Sequence, residues 1–185
     1  MAEASRRLAT YEDLAGFPEG LHVEIVDGEI YTLPGSLPRH GRSSSGLSYY
    51  VGGPFDFDPD GPGGWWIIPE VDVELTRHDT VRPDVSGWRR ETVPAFPKEL
   101  PIRVVPDWIA EVVSPSNQRY DRVVKASLYA LHGVPFYWLV DPGARVLEAF
   151  ELQGGRWLRL GAWGDGDRAR IRPFDAVEID VGRLF

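Results

Sequence analysis

The chain has 185 residues, is 43% hydrophobic with seven tryptophans, and carries a net charge of −8 from 28 acidic and 20 basic residues; that is apolar material for one sizeable core and too little length for two. It contains no cysteine, which excludes a disulfide framework, a thiolate metal site and a cysteine nucleophile. The acidic balance argues against tight binding to a nucleic-acid backbone without metal, although a carboxylate-rich cleft loaded with divalent cations reverses its own local charge.

These bounds predict a single domain over residues 1–185. Residues 1–10 carry Arg6 and Arg7 but no apolar leader, and apolar runs such as residues 136–140 fall far short of the ~20 residues of a membrane helix. A soluble, cytoplasmic protein with no membrane partner is expected.

In chain order, Thr10-Tyr11-Glu12-Asp13 has the form of a capping box and predicts a short helix ending near Gly16 or Pro18. Residues 21–26 and 29–33 alternate around Asp27-Gly28, the signal of a type I′ hairpin, which places Glu24 inside a strand. Residues 37–51 hold Leu47 and Val51 at helical spacing in a Ser/Gly-rich stretch and read as a helix. Residues 54–64 read as a loop, and 65–75 and 82–88 as two strands. Pro94, Pro97, Pro101 and Pro106 exclude regular structure from residues 91–106.

A strand over residues 107–113 stops at Ser114-Pro115, and Ser116 or Asn117 then caps a helix with the apolar stripe Tyr120, Val124, Leu128 and Leu131, ending at Gly133. Residues 135–140 are apolar throughout and predict a central strand. Antiparallel strands follow over 146–152 and 156–160, with turns at Asp141-Pro142-Gly143 and Gly154-Gly155. The Gly164-Asp165-Gly166-Asp167 loop lacks the spacing of a calcium site.

Arg82-Pro83-Asp84 sets a carboxylate at the start of one strand. Glu111 lies within another, among Trp108, Ile109, Val112 and Val113, where an unpaired charge is so costly that it has to be paired or bound to metal. Two carboxylates, the Val112 carbonyl and water make an all-oxygen set suited to Mg²⁺ or Mn²⁺. Such an ion polarises a phosphoryl oxygen and acidifies an attacking water.

Only Lys98 and Lys125 are lysines in a chain that otherwise writes arginine, so Lys125 marks a place for a compact ammonium rather than a guanidinium fork. It also reads as an exposed (i, i+4) partner of Asp121, and Asp121 as that partner or as a first-turn charge. His40, beside Arg39 and Arg42, reads as a surface histidine, with phosphate contact or acid–base work as the alternative. Trp65, Trp66, Trp88, Trp108 and Trp138 read as packing residues, and Arg89-Arg90 as a solvated pair or a contact to a DNA backbone.

Several segments combine in order and spacing: Val23-Glu24-Ile25-Val26-Asp27-Gly28, Arg82-Pro83-Asp84-Val85, Glu111-Val112-Val113-Ser114-Pro115-Ser116, Asp121 to Lys125 running on to Tyr129, Gly133-Val134, and Tyr137-Trp138-Leu139-Val140-Asp141-Pro142. Together they resemble the Uma-type restriction-endonuclease-like family of the PD-(D/E)XK nuclease superfamily. The resemblance implies an α/β (α+β) fold, a mixed sheet flanked by helices with extra antiparallel strands, in which Asp84 and Glu111 hold the metal. It also implies a lysine two residues beyond Glu111, where this chain has Val113. The family pattern permits that lysine to migrate, so Lys125 is expected to project from the next helix into the same space. Glu24 is then a further acidic ligand or a base-side partner.

The expected function is a Mg²⁺- or Mn²⁺-dependent DNA endonuclease, acting as a homodimer with two clefts. The alternative is a degenerate nuclease fold kept as a nucleic-acid or protein binding module, which Val113 and the net charge of −8 favour. A third reading is a phosphohydrolase of small nucleotides.

Overall fold

Local chemistry sets the entry of the chain. The computed structural model describes residues 7–35, 37–116 and 118–185. The capping box forms a 3-10 helix, Tyr11–Gly16, where the Thr10 N–H donates to Asp13 Oδ2 at 2.8 Å. Strands β1 (His22–Val26) and β2 (Glu29–Leu33) follow as the expected hairpin. Asp27 and Gly28 have φ of 53° and 73°, the pair of left-handed residues that a type I′ turn requires. A Cβ on Gly28 would stand 2.6 Å from Leu8 Cβ. Gly28→Ala is therefore expected to cost about 1–2 kcal/mol in urea unfolding, through strain and that overlap.

The helix predicted over residues 37–51 is longer than its pattern suggests. Helix α1 (Pro38–Leu47) continues without a break into a π-helical segment, Ser48–Phe57, that passes through Pro54. A proline breaks an α-helix because it lacks an N–H and its ring meets the carbonyl four residues back. A π turn bonds to the fifth residue back instead, as the Asp58 N–H does to the Gly53 carbonyl at 2.8 Å. Burial of Val51 and Phe55 beneath the sheet holds the segment in place.

The strand predicted over 65–75 is divided, giving β3 (Trp65–Pro69) and β4 (Val73–Thr76), with Glu70 between them at φ 48°. Likewise β5 (Asp79–Val81) and β6 (Val85–Arg89) flank Arg82-Pro83-Asp84, since Pro83 has no N–H for a ladder. The breaks distribute the strands between two sheets. One is antiparallel with order β2-β1-β5-β4. The other has order β10-β9-β8-β7-β6-β3 and includes β7 (Trp108–Val112), β8 (Phe136–Asp141), β9 (Val146–Gln153) and β10 (Arg156–Gly164).

Only β7 and β8 run parallel within this mixed sheet. They are joined by a helical crossover, a π segment Tyr120–Lys125 running into α2 (Ala126–Leu131), as a parallel pair needs. A ribbon of β11 (Arg168–Ala169) and β12 (Ile179–Asp180) and a 3-10 turn, Val181–Leu184, complete the chain.

The pleat of β7 divides the interior. Trp108, Ala110 and Val112 point to one face and pack with Trp138, Val140, Phe174 and Leu184. Phe174 stands 4.8 Å from both Trp65 and Trp108, ring centre to ring centre. Ile109 and Val113 point to the opposite face, with Trp88, Leu128, Tyr129 and Tyr137, and alternation puts Glu111 there as well.

On the crossover helix Tyr120, Val124 and Leu128 of the predicted stripe pack against the core, and Leu131 does not. Leu131 is 75% exposed, whereas Asp121, Lys125 and Tyr129 are buried, so the inward face carries charged groups beside its apolar ones. Of its two predicted caps, Asn117 lies outside the described residues. Among the described residues no helix is long and apolar enough to cross a membrane.

Candidate active site

The last residue pair between β6 and β7 is Val85 with Ala110, so Val112 on β7 extends beyond the ladder, opposite the proline. The side chain of Asp84 supplies the partner that the backbone lacks: its Oδ2 accepts the Val112 N–H at 2.7 Å. In return the Asp84 N–H points to Glu111 Oε2, at a long 3.5 Å. This crossed arrangement fixes one oxygen of Asp84 and leaves Oδ1 towards the cleft, 3.1 Å from His40 Nε2.

Glu111 faces the crossover helix. Its Oε1 accepts from Lys125 Nζ at 2.9 Å and from the Tyr129 hydroxyl at 2.6 Å. Lys125 Nζ is also 2.9 Å from Glu24 Oε1, so one ammonium bridges carboxylates from β1 and β7. Lys125 is 1% exposed, which sets aside its reading as an exposed helix partner of Asp121. Glu24 is itself held from several sides: Oε1 accepts the Arg82 N–H at 2.9 Å and faces His22 Nε2 at 3.1 Å, and Oε2 accepts the Tyr120 hydroxyl at 2.9 Å.

The four acidic and basic residues singled out from the sequence, Glu24, Asp84, Glu111 and Lys125, are thus brought together; Asp84, Glu111, Lys125 and Val112 line a small cleft of about 30 Å³, and Glu24 lies behind Lys125. Two further residues join them that the sequence pattern read otherwise. His40 is only 9% exposed, not a surface group, and Asp121 is 5% exposed; both line the cleft. Among the described residues the Asp121 carboxylate receives no hydrogen bond. Arg90 is a structural tie rather than a solvated charge, bonding to the Asp56 carboxylate at 2.7 Å and stacking 3.9 Å over Trp66.

Four carboxylates share this region with one ammonium and two histidines, His22 and His40. Burial drives the Asp121 carboxyl up to about 6, against the pull of Lys125 and with the push of Asp84 and Glu24. Burial also raises Glu111 well above the ordinary range, opposed by Lys125 and reinforced by Asp84, Asp121 and Glu24. For Glu24, burial is outweighed by Lys125 and His22, which hold its carboxyl at about 2. Burial lowers Lys125, but Glu111 and Glu24 more than compensate, and it stays an ammonium.

The excess of carboxylates lining the cleft fits a divalent cation, and the donors are the hard oxygens such ions take. Among the described residues no three acidic or histidine side chains form a ready-made cage. That matches the habit of Mg²⁺, which is commonly held by one or two carboxylates while it keeps several waters.

The fold is shared with a crystal structure described as a "putative nuclease belonging to DUF820" from Anabaena variabilis ATCC 29413. The TM-score is 0.69, with 20% identity over 95% of this chain and 97% of that one. The likeness shows that the two chains share one fold. A cryo-electron-microscopy structure of a DrdV–DNA complex overlaps at TM-score 0.36 and 16% identity, over 71% of this chain and 12% of that one, too weakly to imply a shared fold. No curated protein sequence matches the chain. The Uma2 model, described as "Putative restriction endonuclease", matches residues 8–182, and the chain belongs to that family.

Proposed function

We propose that this protein is a divalent-metal-dependent DNA endonuclease whose lysine comes from the crossover helix instead of from β7. The observation that carries the reading is Lys125 Nζ at 2.9 Å from Glu111 Oε1. Val113, at the usual lysine position, lies in the apolar cluster on the same face of β7 as Glu111, which supports a lysine supplied from elsewhere.

Asp84, Glu111 and the Val112 carbonyl would hold the ion, Mg²⁺ or Mn²⁺. When bound, it polarises a phosphoryl oxygen and acidifies the attacking water. Lys125 serves as a fixed positive charge, not as a base, because its carboxylate partners hold its proton; it orients the water and offsets charge developing on the phosphoryl oxygens. Glu24 positions the ammonium, and Tyr129 fixes the rotamer of Glu111. The family description supports DNA as substrate, and a homodimer would supply one cleft for each strand.

Purified protein with Mg²⁺ or Mn²⁺ at low salt is expected to nick supercoiled plasmid, and Asp84→Asn to slow nicking at least about 100-fold. Metal binding without cleavage of any substrate would favour the degenerate binding module. Turnover of mononucleotides alone would favour the phosphohydrolase.

A further inference from the structure

We infer that His40 is a direct ligand of the ion, making a mixed nitrogen–oxygen site that takes a first-row transition dication in preference to Mg²⁺. The inference rests on the proposed metal site and not on cleavage of DNA.

Asp84 Oδ2 is committed to the Val112 N–H at 2.7 Å, so Oδ1, which without an ion pairs with His40, is the oxygen an ion would take, with release of the proton shared by that pair. The atom beside it is His40 Nε2, at 3.1 Å. Neighbouring ligands of an octahedral ion with bonds of about 2.1 Å stand about 3 Å apart, so this pair can share one ion with little movement. Coordination uses the tautomer with hydrogen on Nδ1, which turns the Nε2 lone pair to the ion.

The imidazole is held in place by its helix. α1 opens with Pro38 at its first turn and is tied to the C-terminal turn by Ser43 Oγ, which donates to the Leu184 carbonyl at 2.7 Å in the interior. Across the cleft, Asp121, 5% exposed as a residue, lines the same space. The oxygens of Asp84, Glu111, Asp121 and Val112 would serve Mg²⁺ by themselves. A buried imidazole nitrogen against the one available oxygen of Asp84 adds a donor that suits transition ions and that Mg²⁺ does not favour.

The test titrates the untagged full chain with MnCl₂ and with MgCl₂ by calorimetry, without nucleic acid. Pulsed electron paramagnetic resonance of the bound Mn²⁺ then reads ¹⁴N coupling. Wild type is expected to show imidazole ¹⁴N coupling. His40→Gln should lose it and weaken Mn²⁺ binding roughly 10- to 100-fold, with Mg²⁺ binding changed less than about threefold. Asp121→Asn, which keeps the histidine, should weaken both ions and retain the coupling.

Absence of ¹⁴N coupling in wild type, equal weakening of both ions by His40→Gln, or failure of wild type to bind either ion would overturn the inference. If plasmid is nicked with Mg²⁺ while His40→Gln behaves as wild type, the nuclease reading stands without it. If Mn²⁺ binds through His40 and no plasmid is nicked, the nuclease reading falls alone.

Discussion

Lys125→Met is expected to lower the unfolding free energy by about 3–5 kcal/mol, the usual consequence of removing one partner of a buried ion pair. Glu24 and Glu111 share this ammonium at 2.9 Å each, and both are essentially inaccessible to water. Without it, Glu111 keeps the Tyr129 hydroxyl, while Glu24 keeps Tyr120, His22 and the Arg82 N–H. Urea unfolding followed by tryptophan fluorescence measures the loss, and a change below about 1 kcal/mol would contradict a shared ammonium. The double variant Glu24→Gln/Lys125→Met should recover roughly half of it, because the two residues are directly coupled.

The same pair sets an acid limb. The Glu24 carboxyl is held at about 2, below its ordinary 4.5. Its stabilising contribution is therefore present above about 4.5 and is lost as pH falls towards about 2. Lys125→Met should flatten that limb.

Asp121→Asn acts in the opposite direction and should stabilise the protein at pH 8 in EDTA. The Asp121 carboxyl is raised by burial from 3.8 to about 6, so the folded chain holds that proton more tightly than the unfolded one. The associated stability is full below about 3.8 and disappears as pH rises through about 6. Two units at about 1.4 kcal/mol each make this on the order of 3 kcal/mol for a buried group. Thermal unfolding from pH 4 to pH 8 should show the variant's advantage opening across that window. Mn²⁺ should narrow it by binding the wild-type carboxylate. A gap that does not vary with pH would mean that Asp121 is not the titrating group.

What was legible in the sequence was local. Asp27-Gly28 encodes its own turn, the prolines of residues 91–106 exclude regular structure, and the unbroken apolar run of β8 announces a strand buried on both faces. The route of the chain between the sheets was not legible, because it depends on single residues such as Glu70, whose φ of 48° nothing in the local pattern demands. Helix α1 looked weak for a tertiary reason. Ser43 and Gly46 lie against Leu184, with a Gly46 Cβ position only 3.2 Å from Leu184 Cδ2, so small residues there trade helix propensity for close packing.

The site divided in the same way. The cost of a carboxylate in an apolar strand pointed to Glu111, and the scarcity of lysine pointed to Lys125. His40 and Asp121 were read as surface groups because what buries them, the approach of α1 and of the π-helical turn to Asp84, is set by contacts distant in sequence. A histidine on a helix rich in small residues, and an aspartate four positions before the scarce lysine, were the available signals.

The most direct test of a helix-borne lysine is nicking of supercoiled plasmid by Glu24→Gln/Lys125→Met beside wild type, at matched Mn²⁺ occupancy and with folding verified by circular dichroism. The wild type is expected to nick the plasmid, and the folded, ion-bound variant to be slower by at least about 100-fold. Nicking at the wild-type rate by that variant would contradict the account, because the chemistry would then proceed without the ammonium beside Glu111.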